Sequence, residues 1–378
     1  MTQTKKIRVA VLFGGRSAEH EVSLQSAKNV IQHLDDSRFE AVPIGIDKQG
    51  NWLLGDGLFQ QSLEHQHVKS LTHQDQAWFT PAWVNQAVQT QASQQLSTTH
   101  PCFDVVFPAV HGTFCEDGTL QGLLALADVP FVGCGVLSSA VGMDKDVAKR
   151  LAMQAGISVA PYLAIKQGEW LKQQTHCLQR IKETLTYPLF VKPANAGSSV
   201  GITKVKHEKD LAPAIAEAFR FDTKILVENG LNVQELELAV LEAKESGDAP
   251  HVSVVGEIKP THEFYSYEAK YLDDNGASLH IPANVSDTIA NAARQMAADI
   301  FKALECEGMA RIDLFLDKQS NQLYFNEINT IPGFTKISMY PKLMEATGFS
   351  YSSLLSHLVE LAMKRHQEKT NLVRTYSQ

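Results

Sequence analysis

The chain is 378 residues long, with 44% hydrophobic residues and a formal charge of −8, and that length predicts two or three domains with sizeable cores. The acidic balance argues against nucleic-acid or anionic-membrane partners, which require a basic face, and points to small-molecule substrates. The early apolar run at 9–13 is too short for a signal or a span, and the five scattered cysteines form no C-x-x-C pair, which together predict a soluble cytoplasmic protein with reduced thiols.

Taken in chain order, 7–13 reads as a buried strand that turns at Gly14-Gly15 into a helix with the apolar stripe Ala27, Val30, Ile31 and Leu34. A second strand at 39–46 follows at the short spacing of a parallel open sheet. The segment 47–100, rich in Gln, His and Ser, reads as an insertion of loops and short strands, because aromatic residues remain spread through it. Strands at 103–107 and 129–132 bracket a helix at 120–127. A doubly wound N-terminal unit then ends near Gly135.

A helix over 138–154 opens a second unit, which holds strands at 189–192 and 200–205 around a Gly/Ser-rich loop and closes on a strand at 225–228. The third unit has strands at 235–241 and 252–258, a long helix at 286–303, a hairpin, and a terminal helix at 352–364. The fold class is therefore α/β with α+β.

The hairpin carries the strongest signal. Residues 310–316 and 323–329 alternate with period two around the turn residues Lys318-Gln319-Ser320-Asn321. Pairing Asp313 with Glu327 also pairs Arg311 with Asn329, so four polar groups share one face. Two carboxylates and an amide oxygen make a hard donor set suited to Mg²⁺ completed by phosphate oxygens. A solvated outer face would explain one such carboxylate; it explains four converging polar groups poorly.

Upstream, Lys192 precedes the loop Pro193-Ala194-Asn195-Ala196-Gly197-Ser198-Ser199-Val200-Gly201, where small residues let backbone N–H groups approach a polyphosphate. A Gly/Ser turn between strands is an ordinary connection by itself, and Lys145 alone is an ordinary helix charge. A metal hairpin downstream makes both candidate phosphate ligands.

These motifs in this order resemble the D-alanine–D-alanine ligases of the ATP-grasp superfamily. The resemblance is carried by Gly14-Gly15-Arg16-Ser17-Ala18-Glu19-His20-Glu21-Val22-Ser23, His111-Gly112 with Glu116-Asp117-Gly118-Thr119, Met143-Asp144-Lys145, Val191-Lys192-Pro193 with the serine loop, Tyr267-Glu268-Ala269-Lys270-Tyr271, and Asn326-Glu327-Ile328-Asn329-Thr330-Ile331-Pro332-Gly333.

It implies an N-terminal α/β domain at 1–137, then two ATP-grasp domains, at 138–228 and 229–378, that sandwich the nucleotide. It implies ATP and two Mg²⁺ (or Mn²⁺) as cofactors, D-alanine as substrate, peptidoglycan precursor synthesis, and a homodimer. Two D-alanine molecules are joined through an acyl phosphate.

By resemblance Asp313, Glu327 and Asn329 hold the metals, and Lys145, Lys192, Ser199 and Lys270 face the phosphates. Glu228 and Glu235 contact adenine and ribose. Glu19, coupled to Ser198 and Tyr271, holds the first ammonium group, with His111 beside it. Arg311 and the amide of Gly333 cradle the oxyanion, while Ser338 and the amide of Met339 take the second carboxylate. Tyr271, where ester-forming relatives have histidine, implies a peptide product.

One position departs from the family: Cys115 stands where glycine is usual. Positive φ there would strain it, and Glu116 and Asp117 would raise its thiol pKa. Another ATP-grasp carboxylate–amine ligase, or a nucleotide-binding regulatory protein, are the alternatives; a dinucleotide-binding dehydrogenase lacks its G-x-G-x-x-G.

Overall fold

A computed structural model describes residues 5–17, 19–54, 103–260 and 277–374. Most of the predicted insertion, together with Lys270 and Tyr271, lies outside the described residues. Those described build three sheets, one of them largely parallel and two antiparallel, with helices packed on their faces.

The first sheet has the order β3-β2-β1-β4, with β1 at Ile7–Gly14, β2 at Phe39–Ile46, β3 at Trp52–Leu54 and β4 at Val105–Pro108. Strands β2, β1 and β4 run parallel and β3 is an antiparallel edge. The run Val9 to Phe13 is buried on both faces, as a parallel strand between helical layers requires. The predicted strand at 129–132 reduces to a single parallel bridge between Val106 and Phe131. Helix α1 (His20–His33) follows β1, and α2 (Thr119–Leu126) follows β4.

The predicted helix over 138–154 is two helices, α3 (Val136–Met143) and α4 (Lys145–Gln154). They part at Asp144, whose extended backbone and side chain, accepting from the Val147 amide at 3.1 Å, cap α4. The break aims Lys145 at the start of a helix toward the serine loop. The second sheet, β5-β8-β6-β7, joins β5 (Tyr162–Lys166), β6 (Leu189–Pro193), β7 (Thr203–Val205) and β8 (Lys224–Asn229), covered by α5 (Gln167–Thr184) and α6 (Leu211–Ala218). Strand β7 is shorter than the predicted 200–205 because Ser198, Ser199 and Gly201 take positive φ and hold the preceding residues in turns.

The third sheet runs β12-β11-β9-β13-β14, with β10 added to β9. Its strands are β9 (Val233–Leu241), β10 (His251–Val252), β11 (Gly256–Pro260), β12 (Ala277–His280), β13 (Met309–Asp317) and β14 (Leu323–Asn329). The predicted strand at 252–258 is interrupted, since the Ser253 hydroxyl takes the Ala239 amide at 2.9 Å in place of a ladder carbonyl. Helix α7 (Asp287–Ala303) covers one face, capped by Ser286, and α8 (Met339–Ala346) packs on β9. The terminal helix α9 (Tyr351–Thr370) outruns its predicted end and lies against α1 and β4. One apolar core therefore joins Val9, Val11 and Phe13 of the first sheet to Ala239, Leu241, Leu343 and Leu358.

Candidate active site

The hairpin register agrees with the expectation: Asp313 stands opposite Glu327 and Arg311 opposite Asn329. Beyond that point a bulge shifts the register, so Leu314 pairs with Phe325 and the connection is five residues long, 318–322. The bulge places Asn326 and Glu327 together on the wall of one cleft, an example of irregularity re-aiming side chains near a site. On its other side β13 pairs Asp313 with Glu237 of β9, so three carboxylates face one another across three strands. Like charges in direct opposition destabilise a sheet unless cations compensate them.

Two cations do so. The Arg311 guanidinium forks onto Asp313 at 2.8 and 2.7 Å and reaches Glu237 at 3.2 Å. Burial opposes its charge, but Asp313, Glu237 and Glu327 more than offset this and hold Arg311 firmly protonated. Lys145 meets Glu327 at 3.2 Å and donates to the Ala196 carbonyl at 2.8 Å, tying α4 to the serine loop.

The cleft has a volume of about 570 Å³ and opens between the second and third sheets. Lys192, Ser199, Glu228, Glu235, Asp313 and Glu327 all line it. Lys192 projects from β6 and pairs with Glu228 of β8 at 2.9 Å. Ser198 and Ser199 have φ of 50° and 59°, a conformation that costs a side-chain-bearing residue about 1–2 kcal/mol and turns the backbone sharply beside the cleft.

At the other end, the Ser198 hydroxyl donates to Glu19 of the β1–α1 connection, as expected. A side chain on Gly112 would meet the second Glu19 oxygen at 2.8 Å, so glycine is required for the close approach. Its φ of 81° reinforces the requirement. His111 is 4% exposed; its Nδ1 donates to the Ile331 carbonyl at 3.1 Å, which leaves Nε2 to accept from Ser26 at 3.0 Å. Burial pushes its pKa below the ordinary imidazole value, against the opposing charge of Glu19. The ring is thus a neutral structural strut for the segment that carries Gly333.

That segment is held on all sides. The Phe334 amide donates to Ser26 at 3.2 Å, and the Phe334 carbonyl accepts from Asn29 at 3.0 Å and Tyr351 at 2.6 Å. Ile331 donates to Asn329 Oδ1 at 3.2 Å. Ser338 accepts from the Thr335 amide at 2.9 Å, and a side chain on Gly333 would meet its hydroxyl at 2.8 Å. Met339 is the first residue of α8, with its side chain buried.

Cys115 is not the strained residue. Apart from its glycines, the positive φ of this loop, 68°, falls on Phe114, whose amide donates to Asp117 at 2.9 Å. Cys115 is buried, and burial first, then Glu116 and Asp117, push its thiol up to about 12, which makes it inert.

Residues outside the sequence reading also belong here. Lys149 pairs with Glu228 at 2.9 Å, Glu237 completes the carboxylate row, and Ser26 and Asn29 clamp 331–335. The spacing of Lys149, one turn after Lys145, and of Glu237, two residues after Glu235, are the signals that mark them. Glu116 is buried near Glu19, and burial and that neighbour raise its pKa.

Among the described residues no three His, Cys, Asp or Glu side chains form a ready-made metal cluster. Asp313, Glu327 and the Asn329 amide nevertheless fit Mg²⁺: the donors are all oxygen, they share one sheet face, and they are few enough to need phosphate oxygens to complete a shell.

Residues 8–134 match the family described as D-ala D-ala ligase N-terminus, and 151–360 match D-ala D-ala ligase C-terminus. The chain belongs to the D-alanine–D-alanine ligase family. It is 49% identical to D-alanine–D-alanine ligase A of Bradyrhizobium diazoefficiens over 377 residues, covering 98% of this chain and 99% of the relative. The D-alanine–D-alanine ligase structure from Coxiella burnetii superposes with a TM-score of 0.78 at 36% identity, covering 98% of each chain. A D-Ala:D-Ser ligase from Enterococcus faecalis gives a TM-score of 0.79 at 38% identity, covering 95% of this chain and 100% of the other. No described helix is long and apolar enough to cross a membrane.

Proposed function

We propose that this ligase joins two D-alanine molecules to D-alanyl-D-alanine for peptidoglycan precursor synthesis, using ATP and passing through D-alanyl phosphate. The observation that carries the reading is that Lys192, Asp313 and Glu327 line one cleft, with Lys145 and Arg311 ion-paired to its carboxylates, in a chain of this family.

In the first half-reaction a carboxylate oxygen of the first D-alanine attacks the γ-phosphorus and ADP departs. Lys145 and Lys192 neutralise phosphate oxygens along the attack path, and Ser199 lends backbone and hydroxyl donors. Lys270 serves the same phosphates in this reading. Glu228 and Glu235 meet the adenosine between the ATP-grasp units 138–228 and 229–378, which follow the N-terminal unit 1–137. Two Mg²⁺ (or Mn²⁺), held by Asp313, Glu327 and Asn329, would offset the repulsion between the two anions.

In the second half-reaction the amine of the second D-alanine attacks the acyl carbonyl. It loses a proton, and phosphate leaves. Glu19, fixed by Ser198, holds the first ammonium group, with Tyr271 as the third member of that set. Arg311 and the Gly333 amide stabilise the tetrahedral oxyanion, and the clamp on 331–335 supplies the rigidity such a donor needs. The N-terminus of α8, through Ser338 and the Met339 amide, favours the second carboxylate by its dipole.

A homodimer is supported by the exposed Leu126, Val136 and Leu137 on the adjoining helices α2 and α3. The ATP requirement favours the cytoplasm. Mixing the protein with ATP, Mg²⁺ and D-alanine tests the reading: phosphate and D-alanyl-D-alanine appear in equal amounts, whereas phosphate release without dipeptide contradicts it.

A further inference from the structure

Lys149 has no part in the chemistry above, yet its side chain is wholly buried, a rare state for lysine. It lies on α4 one turn beyond Lys145 and reaches Glu228 Oε2 at 2.9 Å and the Phe325 carbonyl at 3.4 Å. Glu228, 2% exposed, takes Lys192 on its other oxygen at 2.9 Å. Two cations thus share one carboxylate. They differ in where they stand: Lys192 lines the cleft, and Lys149 sits behind Glu228, away from it.

Charge counting gives this arrangement a consequence. Two ammonium groups against one carboxylate leave a single net positive charge, and the only member able to present it to the cleft is Lys192. Without Lys149 the charge of Lys192 would be consumed by Glu228, and an incoming phosphate would meet a neutral pair. Burial depresses the Lys149 pKa, and Glu228 works against that depression, as expected when carboxylate and ammonium depend on each other.

We propose that Lys149 is a positioning residue that neutralises Glu228 from behind, so that Lys192 keeps its charge for the phosphates of the bound nucleotide. This rests on the reading of Lys192 as a phosphate ligand. Lys149 itself touches no substrate. Its effect is on nucleotide affinity, with D-alanine affinity left alone.

The experiment measures KM for ATP, KM for D-alanine and kcat on the full chain. Lys149→Met keeps an unbranched side chain of similar length and removes the charge; KM for ATP should rise about tenfold, equivalent to about 1.4 kcal/mol, with KM for D-alanine within twofold of wild type. Lys149→Arg keeps the charge behind Glu228 and should hold KM for ATP to within about threefold of wild type. A Lys149→Arg variant no better than Lys149→Met would mean that the charge of Lys149 does not matter, and would overturn the proposal. So would an unchanged KM for ATP in Lys149→Met.

If Lys149→Met does not fold, Lys149→Arg is compared directly with wild type, and a tenfold loss of ATP affinity there has the same overturning force. Lys192→Ala separates the underlying reading: ATP affinity kept in that variant removes Lys192 from the phosphates, and the proposal with it. Affinity lost in Lys192→Ala but kept in Lys149→Met overturns the proposal alone.

Discussion

Replacing Ser26 by alanine tests whether the segment 331–335 is positioned for catalysis or merely packed. Ser26 is fully buried, and its hydroxyl serves two partners, accepting the Phe334 amide at 3.2 Å and donating to His111 Nε2 at 3.0 Å. Alanine leaves both unsatisfied, and each orphaned buried group costs about 1–3 kcal/mol, so a stability loss of about 2–6 kcal/mol is expected. Direct removal of an oxyanion donor costs about 10²–10³ in kcat; loosening the segment that carries Gly333 should cost part of that, about tenfold.

Ser23 supplies the control. It is equally buried and also serves two partners, the Gly14 amide at 2.7 Å and the Ala109 carbonyl at 2.6 Å, neither of them in 331–335. Urea titration and D-alanine-dependent phosphate release, run on both variants, should show similar stability losses and a kcat loss confined largely to Ser26→Ala. Equal kcat losses in the two would refute the clamp.

The remaining predictions concern charge and specificity. Asp313→Asn should fold normally, because its role is charge on a sheet face, and lose most turnover; an unfolded variant would make Asp313 structural instead. Lys145→Ala and Lys192→Ala should each weaken ATP binding well beyond D-alanine binding in nucleotide titrations, since desolvated phosphate contacts are charge-assisted. His111 is held neutral, with its pKa below that of the unfolded chain, so the unfolded state binds the proton first as pH falls. Stability should therefore decline below about pH 6.5, less steeply in His111→Gln; identical slopes in thermal melts would contradict this. The unmodified protein should make no D-alanyl-D-lactate, and Tyr271→His should gain ester synthesis as pH falls through the imidazole titration.

The hairpin was legible in the sequence because period-two alternation and the turn Lys318-Gln319-Ser320-Asn321 leave one register that buries Ile312 and Ile328 together. The bulge at Asn326 was not, because a single extra residue leaves the composition of β14 unchanged. The break in the helix over 138–154 had a signal, Asp144 as an N-cap, that the continuous apolar pattern masked. Shortened β7 and the split at Ser253 came from backbone geometry and one hydroxyl, which local pattern does not encode. Helices α5, α6 and α8 drew no expectation; α5 in particular is polar over much of its length and carries a non-helical residue, Gln173, within it.

The site divides along similar lines. Carboxylates in apolar strands announce themselves, so Asp313 and Glu327 stood out from residue type and spacing alone. Glu19 and His111 became candidates only through the family resemblance, because a first-turn carboxylate and a loop histidine each have an ordinary structural explanation. Ser26 and Asn29 act through a partner distant in sequence, Phe334, and tertiary pairing of that kind has no local trace; Lys149 is marked by its spacing from Lys145, but its pairing with Glu228 is not.

The central claim is that the carboxylate of the first D-alanine is phosphorylated before the peptide bond forms, and isotope transfer tests it most directly. With D-alanine labelled by ¹⁸O in its carboxylate, together with ATP and Mg²⁺, mass spectrometry of the products should find one ¹⁸O atom in each released phosphate and one fewer in the carbonyl of the new peptide bond. Unlabelled phosphate accompanying dipeptide formation would contradict the account.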